Sequence, residues 1–277
     1  MKHSFKHVAV AILGLVLLLN IAACGGGGSE GTELSTNACG DLGLPTKNSR
    51  IINGTACGNL AASPVVRVVM YDALQIPLGY CTGTLISSNA VLTAAHCAVA
   101  GTVSAGIFYG DSPSTFVSVS KIHRHPGYTP IRPNSSVSAA FNDVAVYFLR
   151  ENLNLPILPI ATSAPVLSGD VIDIYGYGTD ENGNLDFKDL KAGQMLVENT
   201  TGDHISTIYN GDGSNTCQGD SGGPATIRLN GITAVVGVTS TGTNSTCGEG
   251  DNSLFINLQN PGVLNFILSE VPAARTI

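Results

Sequence analysis

Over most of the chain, apolar and β-branched residues come in short runs that Gly, Asn, Asp and Pro interrupt. Val65–Tyr71, Thr84–Leu92, Phe116–Ile122, Val144–Leu149, Val171–Tyr175, Ile232–Val238 and Leu254–Leu258 each predict a strand. Such side chains suit a pleated, half-buried surface, and the interrupting residues make turns. Short strands in this arrangement point to an all-β barrel or sandwich rather than a parallel α/β sheet. One helix is expected, at the end. Pro261-Gly262 opens it, and Val263, Leu264, Phe266, Ile267 and Leu268 supply an apolar face. Composition agrees: the 277 residues are 43% apolar, enough for a core of one or two domains, while 12% are charged and 33 are Gly. Helical surfaces carry more Lys and Glu than this. A net charge of −7 argues against binding to nucleic acid.

The amino-terminal stretch follows another pattern. Lys2, His3, Lys6 and His7 precede an apolar run from Val8 to Leu19, and small residues then lead to Cys24. Basic, apolar and small-residue regions in that order make a secretory signal over residues 1–23. The run is too short to span a membrane comfortably. Ile21-Ala22-Ala23-Cys24 resembles the bacterial lipobox, which would make Cys24 a lipidation site and place the protein in a bacterial cell envelope. A plain signal, giving a periplasmic or secreted protein, is the alternative. Residues 24–50 are expected as tether and propeptide, since Gly25 to Glu33 has the composition of a flexible linker. Export implies an oxidising compartment. There are seven cysteines, and giving Cys24 to lipid leaves an even number, which modestly supports the lipobox.

Three motifs carry chemistry: LTAAHC (Leu92–Cys97), NDVAV (Asn142–Val146) and CQGDSGGP (Cys217–Pro224). A serine hydroxyl needs a neighbouring base to become a nucleophile, an imidazole can serve near neutral pH, and a carboxylate can orient that imidazole. His96, Asp143 and Ser221 supply these groups in the order His, Asp, Ser, which differs from the orders of subtilisins and α/β-hydrolases. Through these motifs, the region Ile51–Ile277 resembles the trypsin-like serine proteases over nearly its whole length.

The resemblance implies two Greek-key antiparallel β-barrels with a C-terminal helix, the first over residues 51–155 and the second over 156–277. It implies a catalytic triad of His96, Asp143 and Ser221, and an oxyanion hole built from the N–H groups of Gly219 and Ser221. Ser240, in VTSTG, matches the family serine that supports the carboxylate. Disulfides Cys81–Cys97 and Cys217–Cys247 follow by the same analogy. Cys39 and Cys57 remain, one on each side of Arg50; if paired, they would keep a severed propeptide attached. Arg50-Ile51-Ile52-Asn53-Gly54 resembles an activation junction, where cutting after Arg50 frees an Ile51 amine to pair with Asp220. On that reading a buried Asp220 needs a cation, and none is expected beside it before the cut. Protein or peptide substrates, a monomer, no cofactor and no metal complete the implied picture, and an activating protease is a possible partner.

Two departures from the family stand out. Trp is absent, so Thr241 follows Ser240 and the second barrel has Gly176-Tyr177-Gly178, which implies a less apolar wall beside the substrate. Asn215 takes the place where trypsin-type enzymes carry Asp, and with Thr216, Gly242 and Ser253 it implies a polar, uncharged specificity pocket. Asp251 or Glu249 could reach in from the wall, so these residues leave the preferred P1 side chain open. His123-Arg124-His125 is expected as a solvated loop rather than a metal site. The competing readings are a catalytically silent binding module on the same scaffold and an esterase. The silent module is disfavoured because every triad member and the oxyanion glycine are present.

Overall fold

The computed structural model describes residues 37–47, 53–131, 139–180, 183–185 and 187–277. Cys24, Arg50, Ile51 and the signal segment lie outside the described residues. The described chain opens with a one-turn helix, α1 (Ala38–Asp41), and two short strands, β1 (Thr46–Lys47) and β2 (Thr55–Cys57). Six strands follow: β3 (Val65–Tyr71), β4 (Pro77–Ser87), β5 (Ala90–Thr93), β6 (Ser104–Phe108), β7 (Phe116–Arg124) and β8 (Ala145–Leu149). They close an antiparallel barrel in the order β3-β4-β5-β8-β7-β6.

The second barrel uses β9 (Val171–Gly176), β10 (Leu190–Thr200), β11 (His204–Ile208), β12 (Pro224–Leu229), β13 (Ile232–Gly242) and β14 (Asn252–Asn257). Their order is β10-β11-β14-β13-β12-β9, and pairing of β10 with β9 closes it. Strands β1 and β2 extend this sheet from β10, where Leu190–Ala192 pair with β2 on one side. The same register sets Lys191 opposite Gly176 of β9 on the other side.

The expected runs and the observed strands agree best where side chains alternate or face a core, as in β3 and β8. Thr84–Leu92 is instead the end of β4 and the start of β5, split by a tight turn at Ser88-Asn89, where Ser87 Oγ donates to Asn89 Oδ1 at 3.1 Å. Strands β6, β10, β11 and β12 have no counterpart among the expected runs. In β10 the polar residues Lys191, Gln194 and Glu198 fall among apolar ones and hide the period of two. The helix α2 (Pro261–Glu270) begins where expected, with Pro261 in its first turn. Asn260 caps it, its Oδ1 accepting from Gly262 N at 2.8 Å. Val263 and Ile267 of α2 are buried.

The first barrel's interior is filled by residues such as Val68, Leu85, Val91, Ile107 and Val146, and the second barrel's by Ile172, Met195, Val236 and Phe255. A third cluster lies where Ala38, Cys39 and Leu44 pack on Leu60, Tyr175 and Leu190. Three disulfides join Cys39 to Cys57, Cys81 to Cys97 and Cys217 to Cys247.

Candidate active site

His96 sits in a short 3-10 turn, Ala95–Cys97, just after β5, and the Cys81–Cys97 disulfide ties that turn to β4. Asp143 lies two residues before β8, and its side chain is fully buried while the His96 side chain stays 31% exposed. Two bonds join them: His96 N donates to Asp143 Oδ1 at 2.8 Å, and His96 Nδ1 lies 2.7 Å from Asp143 Oδ2. From β13, Ser240 Oγ donates to Asp143 Oδ2 at 2.6 Å. Burial alone would raise the Asp143 pKa. The hydrogen bonds and charge of His96, with the Ser240 bond, outweigh it and hold the carboxyl below its ordinary value. A carboxylate at Nδ1 places the imidazole proton there, leaving Nε2 as the basic nitrogen.

Ser221 lies in the turn that leads into β12. Its carbonyl accepts from Thr82 N of β4 at 2.8 Å and lies 3.8 Å from Cys97 Sγ, so the serine is bound to the histidine's own strand neighbourhood. Gly219 has a φ of +96°, and a Cβ there would come within 2.9 Å of Gly178 Cα. Only glycine fits that close approach. Thr82 Oγ1 fixes the same turn, donating to Gly219 O at 2.9 Å.

Asp220 is buried beneath this turn, accepting from Gly178 N at 2.8 Å and Cys217 N at 2.9 Å. Burial pushes its carboxyl up to about 6, against the downward pull of the Cys217 and Gly178 N–H groups and of the Lys191 charge. Lys191 reaches the same region from β10, its Nζ donating to Gly178 O. Ahead of β2, Asn53 is anchored to the second barrel, its Nδ2 donating to Tyr209 Oη at 2.6 Å and Gly211 O at 3.1 Å.

Beside Ser221 is a cavity of about 150 Å³, whose lining includes Thr216, Ser240, Thr241, Gly242 and Asp251. Asn215 and Ser253, expected in the pocket, lie fully buried beneath it. Asn215 Oδ1 accepts from Ser253 Oγ at 2.9 Å, and its Nδ2 donates to Asp251 Oδ2 at 2.8 Å and Cys247 O at 3.0 Å. Thr216 Oγ1 and Ser253 Oγ are 2.8 Å apart. Thr243 N and Asn244 N hold Asp251 Oδ1 at 2.8 and 2.7 Å, whereas Glu249 is exposed and outside the lining. Asp251 thus lines the cavity, as the sequence left open, and its carboxylate is held by these bonds. The His123–His125 cluster also differs from expectation. His123 and Arg124 end β7, His123 Nδ1 pairs with Glu270 Oε2 of α2, and the His125 ring meets Phe266 edge-on at 4.9 Å. A strand end packed on a helix replaces the expected loop.

The family model described as Trypsin matches residues 62–265, which span both barrels and every group of this site except Asn53. The chain belongs to the trypsin family of serine proteases. Chymotrypsin-like elastase family member 1 of Homo sapiens is 32% identical over 223 residues, 71% of this chain and 83% of that protein. Trypsin beta of Drosophila erecta is 29% identical over 77% of this chain and 84% of its own length. The solved structure of HL collagenase superposes with a TM-score of 0.64 at 22% identity, covering 80% of this chain and 99% of that one, a likeness of fold. Within this trypsin-family framework, the sequence motifs did not single out Thr82 or Lys191, and Tyr177, expected in a wall beside the substrate, is instead buried. Tyr177 crosses between the barrels, its hydroxyl donating to Val65 O at 3.2 Å and its N–H to Thr82 Oγ1 at 3.0 Å. A lysine within an otherwise apolar strand segment was the available signal for Lys191.

Proposed function

We propose that this chain is a serine endopeptidase, exported as a zymogen and switched on by cleavage between Arg50 and Ile51. The observation that carries the reading is the linked set His96–Asp143–Ser240, held beside Ser221 by the Thr82 and Cys97 contacts. In this mechanism Ser221 Oγ attacks the peptide carbonyl carbon and its proton passes to His96 Nε2. Gly219 N–H and Ser221 N–H receive the oxyanion, each such donor lowering the barrier by about 3 kcal/mol. Collapse breaks the C–N bond, and His96 returns the proton to the leaving amine. Water, deprotonated by the same imidazole, then hydrolyses the acyl-enzyme. Asp143 stabilises the imidazolium formed at each stage.

Asp251 would attract a cationic P1 side chain, since it is the one carboxylate among the described residues lining the cavity. Cleavage at Arg50 would free the Ile51 amine two residues ahead of Asn53, which is itself anchored to Tyr209 and Gly211. The signal over residues 1–23 and lipidation of Cys24 would place the enzyme on a bacterial envelope, and the three disulfides suit an oxidising compartment. An organophosphate should label the Arg50-cut protein covalently, and Ser221→Ala should abolish the label. Absence of label on folded, correctly cut protein would overturn the reading and leave a binding scaffold. Arg50→Gln should hold the label rate far below that of the cut enzyme; full reactivity of the uncut chain would remove the zymogen step.

A further inference from the structure

Lys191 is 1% exposed, and no lysine is buried this completely without compensation for its charge. Its place follows from register. Lys191 of β10 faces Gly176 of β9 across the ladder, and residues directly opposite one another project to the same side of a sheet. Gly176 projects nothing, and that space is taken by Asp220: a Cβ on Gly176 would lie 1.9 Å from Asp220 Oδ1, and one on Gly178 2.5 Å from Asp220 Cγ. The two glycines thus leave one chamber, into which a buried ammonium and a buried carboxylate both reach. A single residue links them. Gly178 donates its N–H to Asp220 Oδ1, and its carbonyl accepts from Lys191 Nζ. The next residue, Thr179, grips the turn itself, its N and Oγ1 donating to Gln218 O at 2.8 and 3.0 Å.

We infer that Lys191 is a positioning residue, a resident counter-cation that keeps Asp220 ionised and the Gln218–Ser221 turn in its oxyanion-receiving shape before any new amino terminus exists. The inference rests on the reading of Ser221 as nucleophile and adds to it. Activation would then be a transfer of Asp220 from a resident cation to the Ile51 amine, and the uncut chain would retain a low reactivity. The other groups of the described residues that act on Asp220 are uncharged, the backbone N–H groups of Cys217 and Gly178. Among the described residues, Lys191 is the charge whose field acts on Asp220.

Lys191→Gln keeps a donor for Gly178 O and removes the charge. In uncut Arg50→Gln protein it should slow organophosphate labelling of Ser221 at neutral pH at least tenfold and shift the acid limb of labelling to higher pH. In cut protein, where Ile51 supplies a cation, the loss should be within about threefold. Equal rates and profiles in uncut Lys191→Gln and its Lys191 parent would overturn the inference, as would an equal deficit in the cut and uncut forms. A second readout needs no activity. In Ser221→Ala protein, ionising the buried Asp220 lowers stability as pH rises from the ordinary carboxylate range through about 6. The gap in melting temperature between the Lys191→Gln variant and its parent should therefore open between pH 5 and pH 8, and a constant gap would overturn the inference. If Lys191→Gln does not fold, adding Asp220→Asn should restore folding, and failure of that rescue counts against it. The two readings separate cleanly: an unlabelled cut parent whose gap still widens removes the protease reading and leaves the Lys191–Asp220 coupling.

Discussion

Ser240 and His96 approach Asp143 from different barrels, and the balance between their bonds and burial decides how firmly that carboxyl stays ionised. Ser240→Ala removes a hydrogen bond to a buried charge, worth about 2 kcal/mol. The Asp143 pKa should then rise and kcat/KM should fall about tenfold. Because the folded-state pKa is depressed, this bond stabilises the protein above the ordinary carboxylate range and is lost as pH falls through the folded value. Denaturant melts should show the Ser240→Ala deficit in full at neutral pH and a deficit that shrinks as pH falls below the ordinary carboxylate range. At the pocket, Asp251→Asn should lower the ratio of kcat/KM for Arg-P1 over Leu-P1 peptides at least tenfold, and an unchanged ratio would rule out Asp251 as the specificity charge. These residues differ in how legible they are from sequence. His96, Asp143 and Ser221 lie in motifs whose neighbours are dictated by backbone geometry. Asp251 is aimed by the Thr243-Asn244 turn, a long-range consequence of the β13–β14 connection that no local pattern records.

The segment Ala38–Lys47 behaves as an element of the second barrel. Strand β1 pairs with β2, Tyr175 Oη donates to Ala38 O at 2.7 Å, and Thr233 Oγ1 donates to Asp41 O at 2.5 Å. Arg228 pairs with the Asp41 carboxylate, and Lys47 with Asp189. The cut protein should therefore yield a small fragment on denaturing gels only after reduction, while under native conditions the reduced segment should still co-elute. Its hold should depend on pH. Burial, opposed by the Gln194 bond and reinforced by the Asp41 carboxyl, pushes Asp173 up to about 6. A carboxyl raised on folding favours the packed form at acid pH and loses that contribution as pH climbs through about 6. After cutting and reduction, gel filtration should show faster loss of the segment at pH 8 than at pH 5; equal rates would exclude Asp173. Strands such as β3 were legible because their runs are continuous and apolar. β10 was not, since polar residues interrupt both of its faces, Lys191 on one and Gln194 on the other, and their partners Gly178 and Asp173 are distant in sequence.

Across the whole molecule, the site exists only where two barrels meet. Ser240 to Asp143, Thr82 N to Ser221 O, Tyr177 Oη to Val65 O and Arg67 Nη1 to Phe187 O, the last at 2.8 Å, all cross that boundary. Neither barrel could satisfy these buried groups alone. Calorimetry of the oxidised protein should give one cooperative transition, and two resolved transitions would contradict that dependence. The all-β architecture was readable from strand-length runs, but the crossing bonds were not, because each pairs residues that only closure of both barrels brings together. The outer strand β1 has one more consequence, for recombinant production. Lys47 and Thr46 form a two-residue, charged outer strand on the flank of β2, a poor template for another chain. A recombinant form started at Ile51 would lose that cover, leave Cys57 as a lone thiol and bare the apolar patch of Leu60, Tyr175 and Leu190. Such a shortened chain should refold into dimers and aggregates, whereas one cut from the full chain should stay dispersed.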